Sequence, residues 1–126
     1  MAAQPKRIVV GFDGTEGSRR ALDAASQLMG YGSTLTVVRV RTDGADDERD
    51  PLDAARDILI ERLITARYEQ RLGEPAAEIV DVARDLDADV IVVGRRGPRE
   101  RNGAGPGSVS AEVVTRAGCD VLVVGG

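Results

Sequence analysis

Histidine and tryptophan are absent from these 126 residues, cysteine occurs once, and the aromatic side chains are Phe12, Tyr31 and Tyr68 alone. Without histidine, the usual zinc sites and histidine-based triads or acid–base pairs cannot be built. The lone Cys119 rules out an intrachain disulfide. So few aromatics leave little for stacking the bases of a single strand on an exposed sheet. No apolar run approaches the roughly 20 residues that cross a bilayer, and the opening "MAAQPKR" has no long apolar segment. The expectation is one unprocessed, cytoplasmic domain over residues 1–126, with no membrane partner. With 17 basic against 21 acidic residues, the overall field is mildly repulsive to nucleic acid, and none is expected as a partner.

What remains is an aliphatic core. Four runs rich in Val and Ile read as strands: "RIVVGF" (7–12), "TLTVVRV" (34–40), "DVIVVG" (89–94) and "DVLVV" (120–124). The first, third and fourth lack polar alternation, as parallel strands buried on both faces do. Between them, Ala21, Leu22, Ala25, Leu28 and Met29 form a helical stripe within 17–30. A third helix opens at Pro75, which suits a first helical position, and carries Ala76, Ile79, Val80, Ala83 and Leu86. A last helix runs from about Ser108 to Ala117. Periodicity leaves 51–72 open between one long helix and a helix followed by a strand. The spacing of Leu52, Ala55 and Leu59, then of Ile64, Ala66, Tyr68 and Leu72, favours helix to about Glu61 and a strand near 64–72. Alternating strands and helices predict an α/β fold with a parallel sheet and helices on both faces. "TDGADDERD" (42–50) is acidic and apolar-poor, and reads as a solvated loop.

Ligands on such sheets bind beyond the carboxyl ends of strands where successive crossovers diverge. Two loops sit at such ends: "GFDGTEGS" after the first strand and "GRRGPRERNGAGPGS" after the third apolar run. Glycines let a phosphate approach the backbone, and a following helix start offers free N–H groups and partial positive charge. Ser108 and Ser110 add hydroxyls, and Arg95, Arg96, Arg99 and Arg101 outweigh Glu100. No GxxxxGK[ST] occurs, the glycines at 103, 105 and 107 are GxGxG and not GxGxxG, and Gly11 stands where an aspartyl-phosphate enzyme has its nucleophile. No catalytic residue is assigned: the available bases, Asp13 and Glu112, have no evident partner to tune them.

Gly94, Gly97, Gly107 and Ser108 are spaced G-x2-G-x9-G-S, and this resembles the ATP-binding signature of the universal stress protein family. "ADVIVVG", "GSVSAEVV", "CDVLVV", "GEPAAEIVDVA" and "RIVVGFDGTEGSRRALDAA" resemble other blocks of that family, so the likeness covers nearly the whole chain. It implies a three-layer, adenine nucleotide alpha hydrolase-like sandwich with a five-stranded parallel sheet of order 3-2-1-4-5. It implies ATP, with Mg, as ligand of a regulatory stress-response protein with at most slow hydrolysis, and a homodimer through strand 120–124. A nucleotide-free dimeric interaction protein of the same fold is the alternative.

Carried over by residue, Asp13 would meet the ribose or a magnesium ion, Val40 would offer its backbone to adenine, and Gly11 and Phe12 would line the crevice. Val93 and Gly94 would flank the nucleotide, Gly97 and Gly107 would let the loop wrap the phosphates, and Ser108, Val109 and Ser110 would bind them. The chain departs from the family at Arg95 and Arg96, where small or polar residues or histidine are common; these arginines clamp phosphates or narrow the site. Phe12 is bulkier than usual, Asp120 replaces a frequent proline, and the segment before "GEP" is short. From packing alone, Phe12 and Val40 are core or wall, Asp13 a helix cap, Ser108 an N-cap and Cys119 a small buried residue.

Overall fold

Strands that are apolar on successive residues must be covered on both faces, and the computed structural model meets that demand with one sheet between two helical layers. It describes residues 5–42, 50–95 and 108–125. In chain order the elements are β1 (Arg7–Gly11), α1 (Glu16–Leu28), β2 (Thr34–Arg41), α2 (Pro51–Glu61), β3 (Arg67–Leu72), α3 (Pro75–Leu86), β4 (Val90–Gly94), α4 (Ser108–Arg116) and β5 (Asp120–Val124). The strands lie in the order β3-β2-β1-β4-β5, and every neighbouring pair is parallel. β1 and β4 are adjacent, with Val9 beside Ile91 and Val10 beside Val92. Here the crossovers turn outward in opposite directions.

The two-residue period of each strand divides the core. Ile8, Val10, Leu35, Val37, Val90 and Val92 face α1 and α2, where Leu22, Ala25, Leu52 and Leu59 meet them. Val9, Val38, Ile91 and Val93 face α3 and α4, meeting Ala76, Ile79, Val80, Ala83 and Val113. Both faces are thus aliphatic and buried, as the unbroken apolar runs require.

The third strand begins at Arg67 and not near 64, because residues 63 and 64 close α2. The Leu63 N–H donates to the Ile60 carbonyl and the Ile64 N–H to the Leu59 carbonyl, with Leu63 left-handed at φ 59°. This is the Schellman arrangement, and Ile64 packs against the core cluster that contains Leu59. α2 is short, and the Arg56 guanidinium, 4.5 Å from the centre of the Tyr68 ring, extends its cover over β3. Arg62 fastens its end to α1 through Asp23 at 2.7 Å and the Ser26 hydroxyl at 2.9 Å. Cys119 is half-buried and not fully so, and burial pushes its thiol up from the ordinary value.

At the amino edge of the sheet, Asp89 joins β4 to β1. Its carboxylate accepts from the Arg7 and Lys6 N–H groups at 2.8 Å each, and its own N–H donates to the Arg7 carbonyl at 2.8 Å. The bond from Arg7, then that from Lys6, holds the carboxyl below the usual aspartate value. A carboxyl depressed by folding stabilises the native state above its unfolded pKa, and that contribution disappears as pH falls through the folded value. Urea melts should therefore show wild type losing stability below about pH 4, and Asp89→Asn should flatten that limb; an unchanged acid limb would contradict the assignment.

Candidate functional site

The chain leaves β1 through Gly11 and turns into α1 over 12–15, while β4 ends at Gly94 one strand away. These two ends meet at very short range. A Cβ on Gly94 would run into the Gly17 carbonyl, and one on Gly17 would come within 3.1 Å of the Arg95 carbonyl. Glycine at both positions therefore lets the start of α1 rest on the end of β4. Gly11 faces the other layer, where a Cβ would come 2.9 Å from Ile79 Cδ1.

Around this contact lies a cleft of about 210 Å3. That volume, drawn by the described residues alone, is below the roughly 300–1,000 Å3 of most ligand sites. Gly11, Phe12 and Asp13 line it from β1, Val40 from β2, and Val93, Gly94 and Arg95 from β4. Val109 and Ser110 line it from α4. The structure thus brings nine of the sequence-derived site residues to one cleft. Phe12 also belongs to the core, 2% exposed against α1 and α2, with its N–H bonded to the Val38 carbonyl at 2.8 Å. Arg96, Gly97, Gly107 and the Ser108 side chain lie outside the described residues.

Because each helix runs back against its strand, the starts of α1, α3 and α4 all open on the cleft, represented by Thr15 and Ser18, Pro75, and Val109. Their partial positive charges add there, and an anion is the favoured occupant. Arg95 adds a full charge, with its backbone N–H fixed on the Val124 carbonyl at 2.9 Å.

Asp13 is exposed, and it does not itself cap α1. Thr15 is the cap: its Oγ1 accepts from the Ser18 N–H at 3.2 Å. Asp13 lies behind it, its Oδ1 accepting from the Thr15 N–H at 3.0 Å and the Thr15 hydroxyl at 2.6 Å. Thr15, Gly17, Ser18, Thr42, Pro75 and Ile79 line the cleft without having been picked out as site residues from the sequence. A Thr placed before the first helical stripe was a readable cap signal; Ile79 carried none beyond its place on an apolar helix face.

Among the described residues no group of His, Cys, Asp or Glu could hold a metal by itself. Glu112, the other base the sequence offered, pairs with Arg116 at 3.2 Å along α4.

The family model described as the universal stress protein family matches residues 5–125. The chain belongs to that family. Universal stress protein Rv1636 of Mycobacterium tuberculosis is 31% identical over 140 residues, covering 94% of this chain and 95% of that one. Its crystal structure superposes with a TM-score of 0.64 over 98% of both chains, at 30% identity. YxiE of Bacillus subtilis, another universal stress protein, is 29% identical over 94% of this chain and 97% of its own. A crystal structure of a universal stress protein in complex with cAMP gives a TM-score of 0.75 at 26% identity, over 97% of this chain and 98% of that one. The solved universal stress proteins share the α/β fold found here.

The Gly94–Gly17 contact sets an order of tolerance in this universal stress protein. Gly94→Ala overpacks backbone against backbone and should cost about 1–3 kcal/mol. Gly17→Ala meets a milder contact and gains up to about 1 kcal/mol of helix propensity, so it should cost less. Urea denaturation of the two variants checks this; equal costs, or a neutral Gly94→Ala, would contradict the close approach.

Proposed function

We propose that this protein binds an adenine nucleotide, ATP in the first instance, at the carboxyl ends of β1 and β4, and acts as a regulatory stress-response protein and not as a catalyst. The observation that carries the reading is the convergence of three helix starts and nine expected residues on one cleft. The related universal stress protein complexed with cAMP supports the adenine class of ligand. In this reading Val40 offers its backbone to adenine, Asp13 meets the ribose, and Val93 and Gly94 flank the nucleotide. The phosphates run toward Arg95, Arg96, Gly97, Gly107, Ser108, Val109 and Ser110.

The residues present fit magnesium only as a companion of the nucleotide. Mg2+ is commonly held by one or two carboxylates plus substrate phosphates; with Asp13, the single carboxylate lining the cleft among the described residues, assigned to the ribose, the ion would be held through the phosphates. The ion would supply charge neutralisation at the phosphates. Among the described residues Asp13 is the only carboxylate lining the cleft, and Glu112 is paired with Arg116 away from it, which supports holding ATP with little or slow hydrolysis.

The edges of the sheet support a second part of the reading, a homodimer through β5. The edge strand β3 carries Arg67, Glu69, Gln70 and Arg71, which discourage pairing. The edge strand β5 is Asp120 followed by four apolar residues, and Leu122 is 38% exposed. Sedimentation should show a dimer that Leu122→Lys splits; a monomeric wild type would contradict it. A dimer without nucleotide remains the competing function, and binding separates the two.

Calorimetric titration with ATP and Mg2+ should give about one site per chain, and Val40→Trp, which fills the apolar wall, should weaken binding at least about tenfold while leaving the urea melt in place. Absence of binding by ATP, AMP and cAMP to wild type would contradict the nucleotide reading and favour the dimer alone.

A further inference from the structure

We propose that Thr15 is a positioning residue: it locks the Asp13 carboxylate so that the second carboxylate oxygen selects a ribose hydroxyl, and the cleft thereby prefers ribonucleotides to deoxyribonucleotides. The inference rests on the adenine-nucleotide reading given above. Asp13 Oδ1 receives two donors from one residue, the Thr15 N–H at 3.0 Å and the Thr15 hydroxyl at 2.6 Å. Oδ2 has no protein donor among the described residues, and Asp13 lines the cleft. An aspartate carboxylate turns over a broad torsional range when nothing holds it. Two bonds to one oxygen remove that freedom and fix where the other points.

The chemistry of the hydroxyl makes the arrangement specific. Thr15 Oγ1 has one hydrogen, and while accepting from the Ser18 N–H at 3.2 Å it gives that hydrogen to Asp13. Capping alone asks only for an acceptor, which Asp and Asn supply as well as Thr or better. An aspartate at position 15 could not donate to Asp13. The helix start therefore explains an oxygen at residue 15, and the carboxylate explains the hydroxyl.

An ionised carboxylate is an acceptor only. Oδ2 consequently welcomes an O–H and repels phosphate, which places the sugar at Asp13 and the phosphates toward Arg95 and the start of α4. A nucleotide lacking the matching hydroxyl leaves Oδ2 with nothing but water to replace. Charge-assisted hydrogen bonds of this kind discriminate by about tenfold or more.

The test is calorimetric binding of AMP, 2′-deoxyAMP and 3′-deoxyAMP to the full chain, in wild type, Thr15→Ser and Thr15→Val, with a urea melt of each. Wild type should bind AMP about tenfold more tightly than the weaker of the two deoxy analogues. Thr15→Ser should keep that ratio, and Thr15→Val should bring it to within about twofold. Should Thr15→Val fail to fold, Thr15→Gly removes the hydroxyl with only a few tenths of a kcal/mol lost at the cap, and the same collapse is expected. A capping role alone would weaken all three nucleotides together, and a ratio unchanged in the variants would overturn the positioning role. Equal binding of AMP and both analogues by wild type would overturn it as well. Wild type that binds none of the three would overturn this inference, and the titration with ATP and cAMP decides whether the nucleotide reading falls with it.

Discussion

The architecture of the cleft depends on one contact without side chains, the meeting of Gly94 at the end of β4 with Gly17 in the first turn of α1. Any Cβ at Gly94 would occupy the place of the Gly17 carbonyl. The two glycines lower α1 onto the sheet until its start sits beside the carboxyl ends of β1 and β4, and the small face of Ser18, Ala21 and Ala25 continues that approach. A larger pair would lift the helix start, and with it Thr15 and Asp13, off the rim of the cleft.

From that placement the electrostatics follow. Parallel strands force their helices to begin at the same edge, so helix starts gather where β1 and β4 part. The wall of Val40, Ile79 and Val93 is apolar, the rim is hydroxyl-rich, and Arg95 is the charged group on the β4 side. An apolar wall beside concentrated N–H dipoles suits a ligand that is flat and apolar at one end and anionic at the other. Asp13 lies between these regions as the acceptor, braced by Thr15.

The fold was legible because both-face burial leaves a strong trace: Ile8–Val10 and Val90–Val93 are unbroken apolar runs, each buried in a strand, and Val121–Val124, also unbroken, became the partly exposed edge strand β5. The start of β3 was read three residues early, because the alternation of Ile64, Ala66 and Tyr68 continues back into the α2 cap. Ile64 and Ala66 do pack on the core, but as cap and connector. Side-chain periodicity reports which residues are buried, and it is blind to where the backbone hydrogen bonds go. At the site, Gly11, Asp13, Val40 and Gly94 were found through the resemblance to a family, whereas Gly17 acts through a backbone contact that only a folded chain displays, and the Thr15 hydroxyl bonds both the helix start and Asp13. Gly94 was expected beside a nucleotide, and the structure gives it a second role as the seat of α1. Arg96, Gly97 and Gly107 lie beyond the described residues, and their part rests on the spacing G-x2-G-x9-G-S.

The central claim is that one ligand site lies at the parting of β1 and β4. Amide chemical shifts followed by NMR during titration with ATP and Mg2+ test it most directly. The account predicts saturable shifts concentrated at Gly11–Ser18, Val40–Thr42, Val93–Arg95 and Val109–Ser110, with α2 and the amino edge near Asp89 little affected. Shifts that cluster elsewhere, or that fail to saturate, would contradict it.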